Sequence, residues 1–245
     1  MKTYTIRPIP LGLSAASLEN RLFRSGARAM IPMAVNVFYI QGATRHILVD
    51  SGVTPEETKK HGFVGDRHLQ TLPEGLAKLG LKPENIELVI QTHLHFDHCS
   101  YAPIFTKAKF LVQKAELEYQ RNPPPYEPRP CPKEILGSLN WEVIEGDYQV
   151  EEDIKILFTP GHTAGGQSVA VNTTKGLAII EGLDATDELY NPPSSMPWTG
   201  PVATQMIHTD PALAYASAKR IKEMADIIVP LHEARWVSID KIPWA

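Results

Sequence analysis

The sequence predicts an α+β protein in which β-sheets pack together beneath covering helices. Two observations carry that expectation. Short apolar runs rich in β-branched residues recur along the 245-residue chain, and segments with clear helix boundaries are few and fall between them. In chain order the runs are AVNVFYI (34–40), HILVD (46–50), ELVIQ (87–91), KFLVQ (109–113), IKILF (154–158), SVAV (168–171), LAII (177–180) and DIIVP (226–230). Each has the length of a strand rather than of a helix. Thr71-x-x-Glu74 is a capping box that opens LPEGLAKL, with Gly80 as the stop. Asp210-Pro211 reads as an N-cap followed by proline at the first helical position, leading ALAYASAKRIKEMA. Two proline clusters, 121–132 and 191–201, lack the backbone donors of a central strand or helix interior. They are expected to be stiff surface loops, serving as plain connections or as pocket walls.

Composition narrows the classes of function. A net charge of -4, with no block of like charges, gives no footprint for nucleic acid or an anionic membrane. Arg7, Pro8 and Pro10 interrupt the stretch that a signal peptide needs, and no uncharged stretch has the roughly 18 apolar residues of a membrane span. The expectation is a cytoplasmic protein forming one domain over residues 1–245. Cys99 and Cys131 are too few for a disulfide framework and are expected to stay reduced, Cys99 as a small buried filler.

Chemistry concentrates in THLHFDH, which places His93, His95, Asp97 and His98 directly after the strand-like run ELVIQ. Imidazole and carboxylate together suit zinc, iron or manganese. His162, Asp184 and His232 each follow another strand-like run. Turns after neighbouring strands gather at one sheet edge, so these three can converge on the first four. Five histidines and two aspartates suffice for two metals with open positions, whereas a closed structural zinc site takes four ligands, usually with cysteine. An open pair points to catalysis.

THLHFDH, PGHTAG, Asp184 and His232, in that order, resemble the metallo-β-lactamase fold superfamily, over nearly the whole chain. LVDSG (48–52) resembles that family's Asp-containing turn. The resemblance implies a four-layer αββα sandwich with the metals at one edge of the paired sheets. It assigns His93, His95 and His162 to one metal, Asp97, His98 and His232 to the other, and Asp184 as the bridge, with Asp50 orienting the site without touching a metal. The implied cofactors are two divalent transition-metal ions, zinc first, with iron or manganese as alternatives.

Within the superfamily the sequence is most similar to the N-acyl homoserine lactonase group, through HLHFDH, HTDPALAYASAKRIKE and LHEARW. It departs from that group at three places. Cys99, Ser100 and Tyr101 follow the metal motif where many members have small residues and a Gly pair. Gly166 stands where many carry a second His, and Asp187 stands where the group usually places a substrate-steadying Tyr. Asp187 would repel a developing oxyanion unless protonated, turned outward or paired with a cation. Tyr190 is the expected substitute. The implied activity is metal-dependent hydrolysis of a lactone or related carboxylic ester, a small molecule with an ester-type carbonyl, with Asp97 or Asp184 passing the proton to the leaving alkoxide. A glyoxalase II-like thioester hydrolase is the alternative enzyme, and a non-catalytic metal-binding or sensor domain the alternative of another class. Phe96, Met30, Met33, Tyr126, Met196 and Trp198 are candidates to line the substrate cleft.

Overall fold

The computed structural model describes residues 1–61, 67–125 and 127–244. One mixed sheet holds β1 (Thr5–Ser17), β2 (Met30–Gln41), β3 (Ile47–Val49), β4 (Arg67–His68), β5 (Leu88–Ile90), β6 (Lys109–Gln113) and β7 (Trp141–Ile144), in the order β4-β1-β2-β3-β5-β6-β7. Antiparallel at the β1 side, it becomes parallel from β3 through β5 and β6 to β7. The other sheet, β12-β11-β10-β9-β8, holds β8 (Tyr148–Glu151), β9 (Ile154–Phe158), β10 (Gln167–Thr173), β11 (Gly176–Ile180) and β12 (Ile227–Val229).

The period-2 alternation of strand side chains makes four layers from these two sheets. Ile47 and Val49 point into the space between the sheets, where they meet Ile154, Ile156, Val169 and Ile180. Leu48, between them in sequence, points the other way, into a cluster with Leu72, Leu76, Leu117 and Ile135. Those four come from helices α2 (Leu72–Lys78), α4 (Lys114–Arg121) and α5 (Lys133–Ser138). On the far side, Leu157, Ala170 and Ile179 pack against Leu189 of α6 (Asp187–Tyr190) and Ala218 and Ile221 of α7 (Pro211–Met224). Two short helices complete the count among the described residues: α1 (Pro55–His61) and α3 (Phe96–Cys99). No helix among the described residues is long and apolar enough to cross a membrane.

All eight apolar runs form strands, and both helix signals hold. Thr71 Oγ1 accepts from Glu74 N while Glu74 Oε2 accepts from Thr71 N, and Asp210 Oδ1 accepts from Ala212 N and Leu213 N. The longest strand, β1, carries no apolar run in the sequence reading because Pro8 and Pro10 interrupt it. These prolines are tolerated because β4 flanks β1 only at Gly12 and Leu13, which leaves the proline stretch at the sheet's margin.

Candidate metal centre

The site forms where the chain leaves the C-terminal ends of β3, β5, β9, β11 and β12. Asp50 follows β3 with φ 63°, and Asp184 follows β11 with φ 56°, left-handed conformations that short polar side chains tolerate. His93, His95, Asp97 and His98 lie on the loop and the short α3 after β5, His162 follows β9, and His232 follows β12.

The seven candidate ligands gather in two groups, His93, His95 and His162 in one, and Asp97, His98, Asp184 and His232 in the other. Within each group one donor atom per residue lies within 4.8 Å of all the others. The rings of His93, His95 and His162 stand 4.7 Å apart and nearly perpendicular to one another, a three-bladed arrangement around one point. Nε2 of His93 and of His162 is buried without a hydrogen-bond partner, as is Asp97 Oδ1. Buried polar atoms left unpaired are costly, and a cation is the partner this donor set fits.

Neighbouring groups hold the Nδ1 side of His98, His162 and His232, so that Nε2 of each faces the cluster. His162 Nδ1 contacts Ile207 O at 2.7 Å and His232 Nδ1 contacts Ala34 O at 3.0 Å, so each Nδ1 carries a proton and Nε2 turns inward, that of His162 unpartnered and that of His232 lying 2.6 Å from Asp184 Oδ1. Asp50 Oδ2 holds His98 Nδ1 at 2.8 Å, and Asp50 itself accepts from Thr92 N and Thr92 Oγ1. Asp50 thus orients a ring and stays out of the donor groups. Glu116, fully buried, ties the two metal-facing loops together: Oε1 accepts from Leu94 N and Oε2 from Gly165 N. Gly165 has to be glycine here, because a Cβ would lie 2.2 Å from Glu116 N.

Electrostatics favour the binding forms of His93, His162, Asp97 and Asp184, whereas a cation has to displace a proton from His98. Burial, and then the neighbouring imidazoles, push His93 well below the usual histidine range, and burial takes His162 down to about 3. Both rings are therefore neutral at physiological pH. Burial also acts on His98, but the Asp97 and Asp50 carboxylates outweigh it and lift that ring to about 9. Burial opposes ionisation of Asp97 and Asp184 too. Arg129, His98 and His232 hold Asp97 ionised, and Arg21, Arg129 and His232 do the same for Asp184.

A family model for the metallo-beta-lactamase superfamily matches residues 30–224. The chain belongs to this superfamily. An N-acyl homoserine lactonase of Bacillus sp is 31% identical over 206 residues, spanning 80% of this chain and 78% of the relative. One from Bacillus thuringiensis is 32% identical over 189 residues, 73% and 71% of the two chains. Among solved structures, an N-acyl homoserine lactone hydrolase with the product N-hexanoyl-L-homoserine at its catalytic metal centre superposes with a TM-score of 0.76. It is 25% identical and covers 97% of this chain and 96% of its own. Superfamily, fold and His/Asp cluster together make this chain a metal-dependent hydrolase of the homoserine lactonase group.

Against that frame the other expected residues fall in different places. Asp187 is paired with a cation, its Oδ1 lying 2.5 Å from Arg235 Nη2. Tyr190 is fully buried in the apolar cluster of Leu189, Met196 and Ala218, and its hydroxyl has no hydrogen-bond partner among the described residues, so none joins it to the seven. Phe96 is buried and stacks on His61 at 3.8 Å, and Met33 and Met196 are buried, whereas Met30 and Trp198 are exposed. Trp198 lines a separate cavity of about 180 Å³ with Phe23 and Arg24. Tyr126 lies outside the described residues. Cys99 is buried in the core, with its thiol 3.7 Å from that of Cys131; both are free.

Three charged residues at the site escaped the sequence reading. Arg21 Nη1 lies 3.1 Å from Asp184 Oδ2, and its Nη2 donates to Asp184 O. From the proline cluster, Glu127 Oε1 stands 3.3 Å from His95 Nε2, and Arg129 Nη1 lies 3.4 Å from Asp97 Oδ2 and 3.2 Å from Asp184 Oδ1. Glu127 and Arg129 had one available signal: two opposite charges spaced between prolines in a loop already a candidate pocket wall. Arg21, 163 residues from its partner, had none.

Proposed function

We propose that this chain opens lactones, or cleaves closely related carboxylic esters, at a pair of divalent transition-metal ions, zinc first. The observation that carries the reading is the pair of abutting donor groups, the first with unpartnered imidazole nitrogens on His93, His95 and His162. The first would be held by His93, His95 and His162, the second by Asp97, His98 and His232, with Asp184 between them. When bound, two such ions bring the pKa of water from about 15.7 toward about 7 and polarise a carbonyl.

The protein's own residues do the rest. Asp50 keeps His98 in the tautomer that presents Nε2, and Ala34 O and Ile207 O do so for His232 and His162. Water that has already released one proton to solvent adds its oxygen to the acyl carbon, and the acyl carbon-oxygen bond breaks. Asp97 or Asp184 takes the proton from the attacking oxygen and delivers it to the leaving alkoxide, giving a carboxylate and an alcohol. In a lactone both products remain one molecule, a hydroxy acid. A cavity of about 640 Å³ lined by Tyr119, Glu127, Pro128, His162 and Met206 adjoins the first donor group and suits a small substrate.

The test is a substrate panel on metal-loaded protein: acyl homoserine lactones, simple γ-lactones, acyclic esters and thioesters. Turnover of lactones or esters, abolished by chelation and restored by zinc, is the expected result. Turnover of thioesters alone would move the protein to the thioester-hydrolase class, and no turnover of any member would overturn the catalytic reading.

A further inference from the structure

We propose that Arg129 is the oxyanion-binding residue of this site, taking the carbonyl oxygen of the substrate as it becomes negative and holding the carboxylate of the product. The proposal rests on the hydrolase reading above. It assigns to the proline-rich loop the role for which Asp187 is unsuited and from which Tyr190 is held away.

The placement comes first. Among the described residues, Arg129 and Arg21 are the guanidinium side chains that touch the donor carboxylates, and they differ in kind. Arg21 is spent: buried, it donates to both the side chain and the backbone of Asp184. Arg129 reaches the cluster through Nη1 alone, and Nε and Nη2 have no protein partner among the described residues. Its side chain is 16% exposed, which puts it at the rim of the cluster rather than inside it. A guanidinium presents five donors in a planar fork matched to two oxygens of a carboxylate, so Nη1 can stay near the cluster while the remaining edge meets an incoming oxygen.

Electrostatics then set its direction. Asp97 and Asp184 are the carboxylates that cations would claim, and a guanidinium 3.2–3.4 Å from those oxygens would be repelled by a filled site. The repulsion is relieved when negative charge appears between them, and ester cleavage supplies it twice: on the carbonyl oxygen at the transition state and on the carboxylate of the product. An interaction that strengthens as charge develops accelerates the chemical step rather than binding alone.

The loop is built to keep Arg129 there. Pro128 and Pro130 flank it and fix the backbone on either side. Glu127 accepts from Arg129 N with Oε1 and from Tyr119 Oη with Oε2, which anchors the loop to α4. Cys131 N donates to Gln120 Oε1, a second tie to the same helix. Glu127 and Pro128 also line the 640 Å³ cavity, so the segment that carries Arg129 faces the entry route.

The experiment compares wild type, Arg129→Gln and Arg129→Lys, all zinc-loaded, in three measurements: zinc content, the calorimetric Kd for 4-hydroxybutanoate, and kcat with KM on the substrate each turns over. The expected result is zinc content equal to wild type throughout and a Kd at least tenfold weaker in Arg129→Gln, partly recovered in Arg129→Lys. The fall in kcat in Arg129→Gln should exceed the rise in KM. An unchanged Kd in Arg129→Gln would overturn the proposal. So would a Kd that weakens only in proportion to lost zinc, since Arg129 would then merely brace Asp97 and Asp184. Carboxylate binding that depends on Arg129, without turnover of any ester or lactone, would sink the hydrolase reading and leave the anion-binding role standing.

Discussion

Glu116→Gln removes a single negative charge and leaves volume unchanged, yet it should weaken both the fold and the metal centre. Glu116 is fully buried, with Leu94 N at 2.9 Å from one oxygen and Gly165 N at 3.0 Å from the other. Glutamine keeps one acceptor. Its NH₂ group must then face one of the two backbone donors, so one charge-assisted bond is lost and a buried N–H is left unpaired. Hydrogen bonds to charged groups contribute about 1.5–3 kcal/mol, and an orphaned buried donor costs about 1–3 kcal/mol. A net loss of about 3 kcal/mol is therefore expected, which for a chain of this size lowers Tm by roughly 6–12 °C. Leu94 lies between His93 and His95, and Gly165 is three residues beyond His162, so the same change loosens the first donor group. Calorimetric melting of metal-free and zinc-loaded protein, with zinc affinity from chelator competition, measures both effects. A Tm within about 2 °C of wild type, with unaltered zinc affinity, would refute the reasoning that Glu116 holds the two loops in register.

Three further outcomes are expected. Zinc-loaded protein should contain close to two ions per chain by elemental analysis, and the His95→Ala/His162→Ala double variant should lose about one of them together with activity. Burial raises Glu181 to about 7, against the three backbone N–H groups of Leu231, Leu183 and Ala185 that favour its anion. With the folded pKa above the unfolded value, stability from this group is greatest below about pH 4.5 and is lost as pH rises toward 7. Urea midpoints between pH 5 and 8 should show a slope that Glu181→Gln reduces. Tyr190→Phe deletes a buried hydroxyl with no partner, so stability should hold or rise by up to about 1 kcal/mol with kcat unchanged; a tenfold fall in kcat at full metal content would return the oxyanion role to Tyr190.

What the sequence disclosed follows the range of each interaction. THLHFDH was legible because four donors fall within six residues, and the apolar runs were legible because strand periodicity is local. β7 and β8 were not, since WEVI and YQVE lie at the margins of their sheets, partly exposed, and need few apolar residues. Asp187 illustrates the middle case. Its identity raised the right question about repulsion, but the answer, Arg235, lies 48 residues away and becomes visible only once α6 packs beside the segment after β12. Arg21 acts wholly through tertiary contacts and no local pattern marks it, whereas Arg129 carried one local signal, a charge set between prolines beside the opposite charge of Glu127.

Those two arginines explain how such a site can fold at all. Asp97 and Asp184 are interior carboxylates, and an unpaired buried charge costs several kcal/mol even after relaxation. The chain brings its own countercharges: Arg21 from the segment between β1 and β2, and Arg129 from the loop between α4 and α5. The two are anchored unequally, and the inequality matters once cations share the site. Arg21 also donates to the backbone of Asp184, so it goes on fixing that residue's left-handed turn whatever happens to the side chain. Among the described residues the Arg129 side chain contacts only the two carboxylates that cations would claim, so its hold weakens as they are neutralised. The residue that shields the site during folding is thus the one freed to meet an anion when the site is filled. A chain with Arg21→Gln should therefore suffer chiefly in stability and in the geometry of Asp184, and a chain with Arg129→Gln chiefly in its grip on carboxylates. The opposite division of effects would show that the roles of the two arginines are reversed.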